Sequence, residues 1–366
     1  MADTYIVAEI GTSHGGNLDR AAESIAAAAD SGADCAKFQY VIADEIIHPA
    51  TGLVDLPGGA VPLYKRFKSL EREPGFYLEL RALCDRHEID FLCTPFGTRS
   101  LDALVKIGVN RIKIASPEIN HTGLLQEVQR AELPVILSTG VSRLSDIEYA
   151  CSFFSGNRVT LLHCVTSYPA PETEYNLSVM STLFHAFGAP AGLSDHSAHP
   201  VLVPGLAAAL GAVMIEKHFT LDRKAGGLDD PIALDPAGFA EMCAAVRRID
   251  AIRSLDPANG GSRIVEEFRA EYGADRVAAI LGDGVKRLAP SETGNYATTR
   301  RSVHVMRDVR AGAFLEAADL AALRSEKNLS PGIDPRYLDE VTGARTNEDI
   351  AAGEGLQWRH LLTRRT

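Results

Sequence analysis

The sequence predicts an α/β fold, a (β/α)8 TIM barrel followed by a small C-terminal domain. Three observations predict it. Eight short β-branched or apolar runs recur between residues 5 and 219, most followed by a longer Ala- and Leu-rich stretch with helical spacing. Alternation of this kind gives parallel strands joined by right-handed crossovers, and eight such units suit a closed barrel. The first turn reads GTSHGGN and lacks the G-x-G-x-x-G spacing that opens a dinucleotide fold.

In chain order the runs are YIVAEIG (5–11), CAKFQY (35–40), DFLCTPF (90–96), RIKIAS (111–116), PVILSTG (134–140), VTLLHCV (159–165), AGLSDH (191–196) and MIEKHF (214–219). The second and third start 55 residues apart, against 21 to 32 for the other neighbours. The surplus, HPATGLVDLPGGAVP within 41–65, reads as an irregular loop on the catalytic face, a lid or an oligomer contact. Helical segments then run to residue 280. A Gly-, Pro- and Ser/Thr-rich stretch marks a linker at 281–297, and short strands punctuated by turns fill 298–366. The expected organisation is a catalytic barrel (1–280), a linker and a small domain too short to stand well alone.

Bulk properties narrow the function. Of the 366 residues, 46% are hydrophobic and 23% charged, as in ordinary globular proteins, and no apolar run is long enough to span a bilayer. The amino terminus lacks a basic stretch ahead of its apolar residues, so no secretory signal is expected there. A formal charge of −11 argues against a nonspecific grip on nucleic acid. Six scattered cysteines without a C-x-x-C pair fit reduced thiols, and the expected location is cytoplasmic.

In such barrels chemistry projects from the carboxyl ends of the strands. Those ends carry Glu9, His14, Lys37, Gln39, Thr94, Lys113, Ser116, Glu118, Ser138, Thr139, Tyr168, His196 and His218. A lysine in an apolar strand needs an anion, so Lys37 and Lys113 must face a carboxylate or a ligand phosphate. Period-two alternation turns Glu216 and His218 to one face and Lys217 to the other, toward the helices. His196 and His218 end neighbouring strands, close enough to share one divalent metal, with Asp195, Asp229 and Asp230 as further oxygen donors. Hydrogen-bonded core histidines are the competing reading, and His163, in mid-strand, is expected to be structural.

The motifs AEIGTSHGG, AKFQ, TPF, KIASPEIN, LSTG, HCVTSYPAP, GLSDHS, EKHFTLDR and GDGVKRLAPSE, in this order, resemble the N-acetylneuraminate (sialic acid) synthase family, which includes pseudaminate and legionaminate synthases. The tail from RRSVHVMRDV to NLSPGI is similar to that family's antifreeze-like SAF (β-clip) domain. The resemblance implies condensation of phosphoenolpyruvate with an N-acylated amino sugar. It implies a divalent metal, usually Mn2+ with Mg2+ or Co2+ as substitutes, on His196 and His218. It assigns phosphoenolpyruvate to Lys37, Thr94, Lys113, Ser116 and Ser138, and places Glu9 and Glu118 near the reacting carbons. Gln39, Tyr168 and Asp229 line the sugar pocket, and Arg324 is the arginine a partner's SAF domain inserts in a domain-swapped homodimer. Departures cluster around the sugar: HCVTSYP near Tyr168, where many relatives carry an Asn, NYATT without the aromatic found in some relatives near the acyl group, and AGGLDD in place of PGPD. N-acetylmannosamine is the leading acceptor, with diacetamido-trideoxyhexoses as the alternative. A Schiff-base aldolase working through Lys113 or Lys37, another phosphoenolpyruvate-dependent keto-acid synthase, and an inert glycan-binding chain are the rival classes.

Overall fold

The computed structural model describes residues 3–56, 59–154 and 158–362. The chain opens with β1 (Tyr5–Gly11), α1 (Leu18–Asp30) and β2 (Cys35–Tyr40). Asn17 caps α1, its Oδ1 accepting the Arg20 amide at 2.9 Å. Next come a hairpin of β3 (Leu53–Leu56) and β4 (Gly59–Pro62), then α2 (Leu63–Leu70) and α3 (Pro74–Arg86). Strand and helix then alternate through β5 (Asp90–Pro95), α4 (Thr98–Ile107), β6 (Ile112–Ile114), α5 (Thr122–Ala131), β7 (Val135–Ser138) and α6 (Leu144–Cys151). They finish with β8 (Val159–Cys164), α7 (Val179–Phe187), β9 (Ala191–Asp195), α8 (Leu202–Ala209) and β10 (Met214–His218).

The barrel strands are ordered β5-β2-β1-β10-β9-β8-β7-β6, and their registered pairs are parallel. β5 and β6 lie side by side, bringing the two edges together. These are the eight runs expected from the sequence, and the fold is a TIM-type barrel.

Alternation along the strands builds the interior in layers. Val7, Cys35, Leu92, Ile136, Leu162 and Met214 form an apolar plug distinct from the main core. Two residues further along the same strands stand Glu9, Lys37, Thr94, Ser138, Cys164 and Glu216, all buried. The opposite strand faces, including Ile6, Ala8, Phe38 and Leu137, pack against the helices in the large outer core. Each buried Leu or Ile there contributes about 1.5–3 kcal/mol, which offsets the desolvation of the polar layer.

The 41–65 segment departs from the expected irregular loop. It holds two 3-10 turns as well as the β3–β4 hairpin, because Val41, Ile46, Ile47 and Val54 close an apolar cluster with Leu63, Leu70 and Phe96. The Glu45 carboxylate fixes it to the barrel at the start of α4, accepting the Arg99 amide at 2.6 Å and the Ser100 amide at 3.2 Å.

After the barrel come α9 (Pro236–Leu255), α10 (Gly260–Tyr272) and α11 (Ala274–Leu281). A stretch with few regular elements leads to α12 (Tyr296–Thr299), β11 (Arg301–Val305), β12 (Leu320–Arg324) and α13 (Leu338–Val341). Val303, Val305, Leu315, Leu320, Ile350 and Leu356 centre a small core of their own. This domain docks on the barrel of its own chain. Ile47 bridges to Arg324, the Arg324 amide donates to Ile46 O at 2.9 Å, and Asn120 exchanges two hydrogen bonds with the Arg301 main chain. The contact that the resemblance assigns to a partner subunit is thus made here within one chain. Among the described residues no helix is long and apolar enough to cross a membrane, and all six cysteines are free.

Candidate active site

Strand register brings the expected charged residues together. Glu9 shares a rung with Lys37 on β2 and with His218 on β10. Lys37 Nζ lies 2.6 Å from Glu9 Oε2 and 3.3 Å from Glu216 Oε2. Lys113 Nζ, on the far side, is 3.6 Å from Glu216 Oε1 and donates to Ser138 Oγ at 2.7 Å. Glu216 therefore stands between the two lysines. They hold its carboxyl down to about 2 although burial alone would raise it. Burial pulls Lys37 down as well, but Glu216 and Glu9 outweigh it and its basicity rises. For Lys113 burial wins and the amine is depressed.

Hydroxyls surround this quartet. Ser116 Oγ accepts the Gly140 amide at 2.9 Å, and a Cβ at Gly140 would meet Thr166 Oγ1 at 2.0 Å, so a side chain there would have to displace the hydroxyls around it. Thr94 Oγ1 is buried without a hydrogen-bond partner. Leaving such a group unpaired costs about 1–3 kcal/mol, which a ligand oxygen would recover.

The His196 and His218 rings lie above, their centroids 5.3 Å apart. His196 Nδ1 is 2.9 Å from the Val165 carbonyl, which leaves Nε2 as the other ring nitrogen. Burial lowers this ring's basicity, but Cys164 beside it outweighs that and raises it to about 9, so a metal bound at Nε2 would have to displace a proton. Burial, with the neighbouring His196, drives His218 down to about 3, so it stays neutral. Asp229 Oδ2 is 4.0 Å from His218 Nδ1, and burial, with Asp230, raises its carboxyl. Among the described residues no group of three or more His, Cys, Asp or Glu side chains forms a ready metal shell. Two imidazoles beside one loop carboxylate still suit a cation whose remaining positions belong to water and substrate. Tyr168, 41% exposed, lies against both rings at 4.4 and 6.1 Å. Gln39 Nε2 donates to Glu9 Oε1 at 2.8 Å.

Glu118, at the end of β6, is held by the C-terminal domain. Arg301 Nε binds its Oε2, and Arg324 Nη2 reaches Oε1 at 2.5 Å. Burial would raise this carboxyl, but the arginines keep it below its usual range.

Other expected donors go elsewhere. Asp195 turns outward to Lys217 Nζ at 2.5 Å, because the alternation that aims His196 inward aims its neighbour at the helices. Asp230 accepts the Gly227 amide at 2.6 Å and shapes its own loop. His14 packs on Phe38 and Phe76 outside the barrel interior, and His163 Nε2 contacts the Tyr175 carbonyl. Sequence reasoning missed Glu216, although it placed that residue on the His218 face. It also missed Arg301, Lys286 and Glu292. The Glu292 carboxylate accepts the Val141 and Thr166 amides, both at 2.7 Å, tying the β7 and β8 loops, and Lys286 Nζ donates to Thr139 O at 2.8 Å. Their signal lay in GDGVKRLAPSE, within the segment read as a linker. A cavity of about 450 Å3 opens beneath that segment, lined by His163, Tyr175 and Lys286 and reaching Cys164 of the polar layer.

Known proteins share this architecture. The NeuB family matches residues 24–255 and the SAF domain residues 300–362. The chain is 32% identical to N,N'-diacetyllegionaminic acid synthase of Legionella pneumophila, over 98% of this chain and 94% of that protein. It is 28% identical to pseudaminic acid synthase of Helicobacter pylori, over 96% of each. The crystal structure of the spore coat polysaccharide biosynthesis protein SpsE from Bacillus subtilis superposes with a TM-score of 0.80 at 32% identity, over 99% of this chain and 96% of that one. The barrel, the polar layer at its mouth and the appended domain thus have one common source: the chain belongs to the NeuB family of sialic-, legionaminic- and pseudaminic-acid synthases and carries a C-terminal SAF domain.

Proposed function

We propose that this chain condenses phosphoenolpyruvate and water with an N-acylated amino sugar, giving a nine-carbon keto acid and phosphate. The observation that carries the reading is the buried quartet Lys37, Lys113, Glu9 and Glu216 beside the orphaned Thr94 hydroxyl. Lys37 and Lys113 hold the phosphate and carboxylate by charge-assisted hydrogen bonds, with Thr94, Ser116 and Ser138 completing the cradle. The quartet is electrically balanced, so a polyanionic ligand calls for further positive charge. His196 and His218 would hold a divalent cation, expected to be Mn2+, whose chemistry there is Lewis-acid polarisation of the sugar aldehyde. The methylene carbon of the enol attacks that aldehyde, and the carbon bearing phosphate becomes cationic. Glu118 stabilises the cation and steers water onto it, with Glu9 beside the reacting carbons. Water adds to that carbon and gives up its protons, one of them balancing the new sugar alkoxide. The bond from the carbon to the bridging oxygen then breaks, and phosphate leaves with that oxygen as the ketone forms.

Gln39, Tyr168, Asp229 and Arg324 bind the acceptor. N-acetylmannosamine is the acceptor expected from sequence. The relatives named for diacetyllegionaminic and pseudaminic acids favour a diacetamido-trideoxyhexose instead. The expected domain-swapped homodimer preserves each docking contact, with Arg324 arriving from the second copy. Phosphate release and product mass, measured with phosphoenolpyruvate, Mn2+ and each acceptor in turn, test the reading. Turnover with one diacetamido sugar supports it; no phosphate with any acceptor refutes it. The depressed Lys113 amine is what a Schiff-base aldolase needs, and a borohydride-trapped pyruvate adduct would establish that second reading.

A further inference from the structure

Arg301 and Arg324 stand directly opposite each other on the antiparallel β11–β12 ladder. Like charges so placed repel, and the Arg301 side chain has no exposure at all. Glu118 resolves the conflict by giving one carboxylate oxygen to each arginine. The two are not equivalent. Arg301 spends its other donors on main-chain carbonyls. Its Nη2 binds Phe96 O at 2.7 Å at the end of β5, and its Nη1 binds Glu45 O, Ile46 O at 3.1 Å and Ala322 O at 3.1 Å. Arg324 has both its carboxylate contacts on a single oxygen, Glu118 Oε1, stacks on Phe96 at 5.4 Å, and keeps 12% of its side chain exposed. One arginine is locked into the backbone of three segments. The other is hydrogen-bonded to one carboxylate, with Glu326 acting on it as a second, non-bonded anion, and has an open side.

We infer that Arg301 is a positioning residue: it pins Glu118 as a carboxylate at the end of β6, so that Arg324 can leave Oε1 for the acceptor without the acid turning or taking up a proton. This rests on reading Glu118 as the carboxylate beside the reacting carbons. The charged and titratable groups facing Glu118 are Arg301 and Arg324 from the docked domain, His121 from its own loop and Glu326 beyond β12. His121 is pushed down to about 3 by burial and by Arg301, so it carries no charge near neutrality. The arginines alone oppose the burial that favours the protonated acid, and of these only Arg301 stays when Arg324 moves. The docked domain therefore does more than cover the barrel, since it sets the protonation state of a group within it.

The test is the pH dependence of kcat at saturating substrates for full-length Arg324→Met, Arg301→Met and Arg301→Lys, with Glu118→Gln alongside. Arg324→Met, at the more exposed position, should raise the acceptor KM about tenfold while the acid limb of kcat stays in place. Arg301→Met should move that limb up by about 1–3 pH units, and Arg301→Lys should return it most of the way. A purely structural role would reduce the amount of active enzyme without moving the limb. An acid limb displaced by a full unit or more in Arg324→Met overturns the inference even if Arg301→Met does not fold. So does an unmoved limb in folded Arg301→Met. Glu118→Gln separates the two readings. If it is inactive while Arg324→Met shifts the limb, only the positioning role fails; if it turns over at the native rate, the assignment of Glu118 to the chemistry fails with it.

Discussion

Lys37, Lys113, Glu9 and Glu216 stand on four different strands, and none is more than 6% exposed. Tyr168 is 41% exposed, Asp229 comes from the loop after β10, and Arg324 comes from another domain. The inner region is fixed by strand register, which no single loop change can alter. The outer region is assembled from pieces that vary independently. A family that keeps one phosphorylated donor and changes its sugar would divide its site in this way, and the division has consequences that can be measured.

The largest expected effect is in the inner region. Glu216→Gln leaves two buried lysines facing one carboxylate. It should cost about 3–5 kcal/mol in urea unfolding and abolish turnover. Asp229→Asn should change stability by no more than about 0.5 kcal/mol. Equal losses in the two variants would break the comparison.

Next is the imidazole pair between the regions. His196→Ala, or chelation of the native chain, should lower kcat by about 10²–10⁴-fold, with Mn2+ restoring only the chelated native protein. The folded state, held by the apolar layers, should survive both treatments in a thermal melt.

The pH dependence of stability sharpens the contrast. His14 and His304 are pushed down to about 4, and His121 and His163 to about 3, with burial the leading cause in each. Between those values and the ordinary 6.5 the unfolded chain binds more protons than the folded one, so stability falls as pH drops below about 6.5. Glu216 adds a second loss between 4.5 and about 2, where the unfolded carboxyl is protonated and the folded one is not. Urea midpoints measured from pH 7 to pH 4 should decline steadily, and a flat profile would contradict these buried neutral imidazoles.

The smallest effects belong to the outer region. Tyr168→Phe removes one hydroxyl and should raise the acceptor KM up to about tenfold, leaving the phosphoenolpyruvate KM unchanged. A matching rise for phosphoenolpyruvate would mean that the two regions are not separable.

What the sequence made legible follows the same line. Period-two alternation and strand ends located Lys37, Lys113, Thr94 and Ser138, because in a barrel the register does the positioning. Glu216 lay on the same inward face, but two residues before a histidine it was read only as that histidine's neighbour. Arg301 was beyond reach, since Glu118 lies 183 residues away and only docking brings them together. The antiparallel pairing of β3 with β4 was hidden by the Pro and Gly content around it, which marks breaks in the pattern without saying what they join. Lys286 and Glu292 were hidden likewise: composition identified a segment short of regular structure, and such a segment can still be pinned at both ends.

Water labelled with heavy oxygen tests the central claim most directly, because it follows the bond that breaks when an enol phosphate held by Lys37 and Lys113 is attacked. The account predicts label in the keto group of the product, read before it exchanges, and none in the released phosphate. Labelled phosphate would mean attack at phosphorus, and the roles given to these lysines and to Glu118 would be wrong.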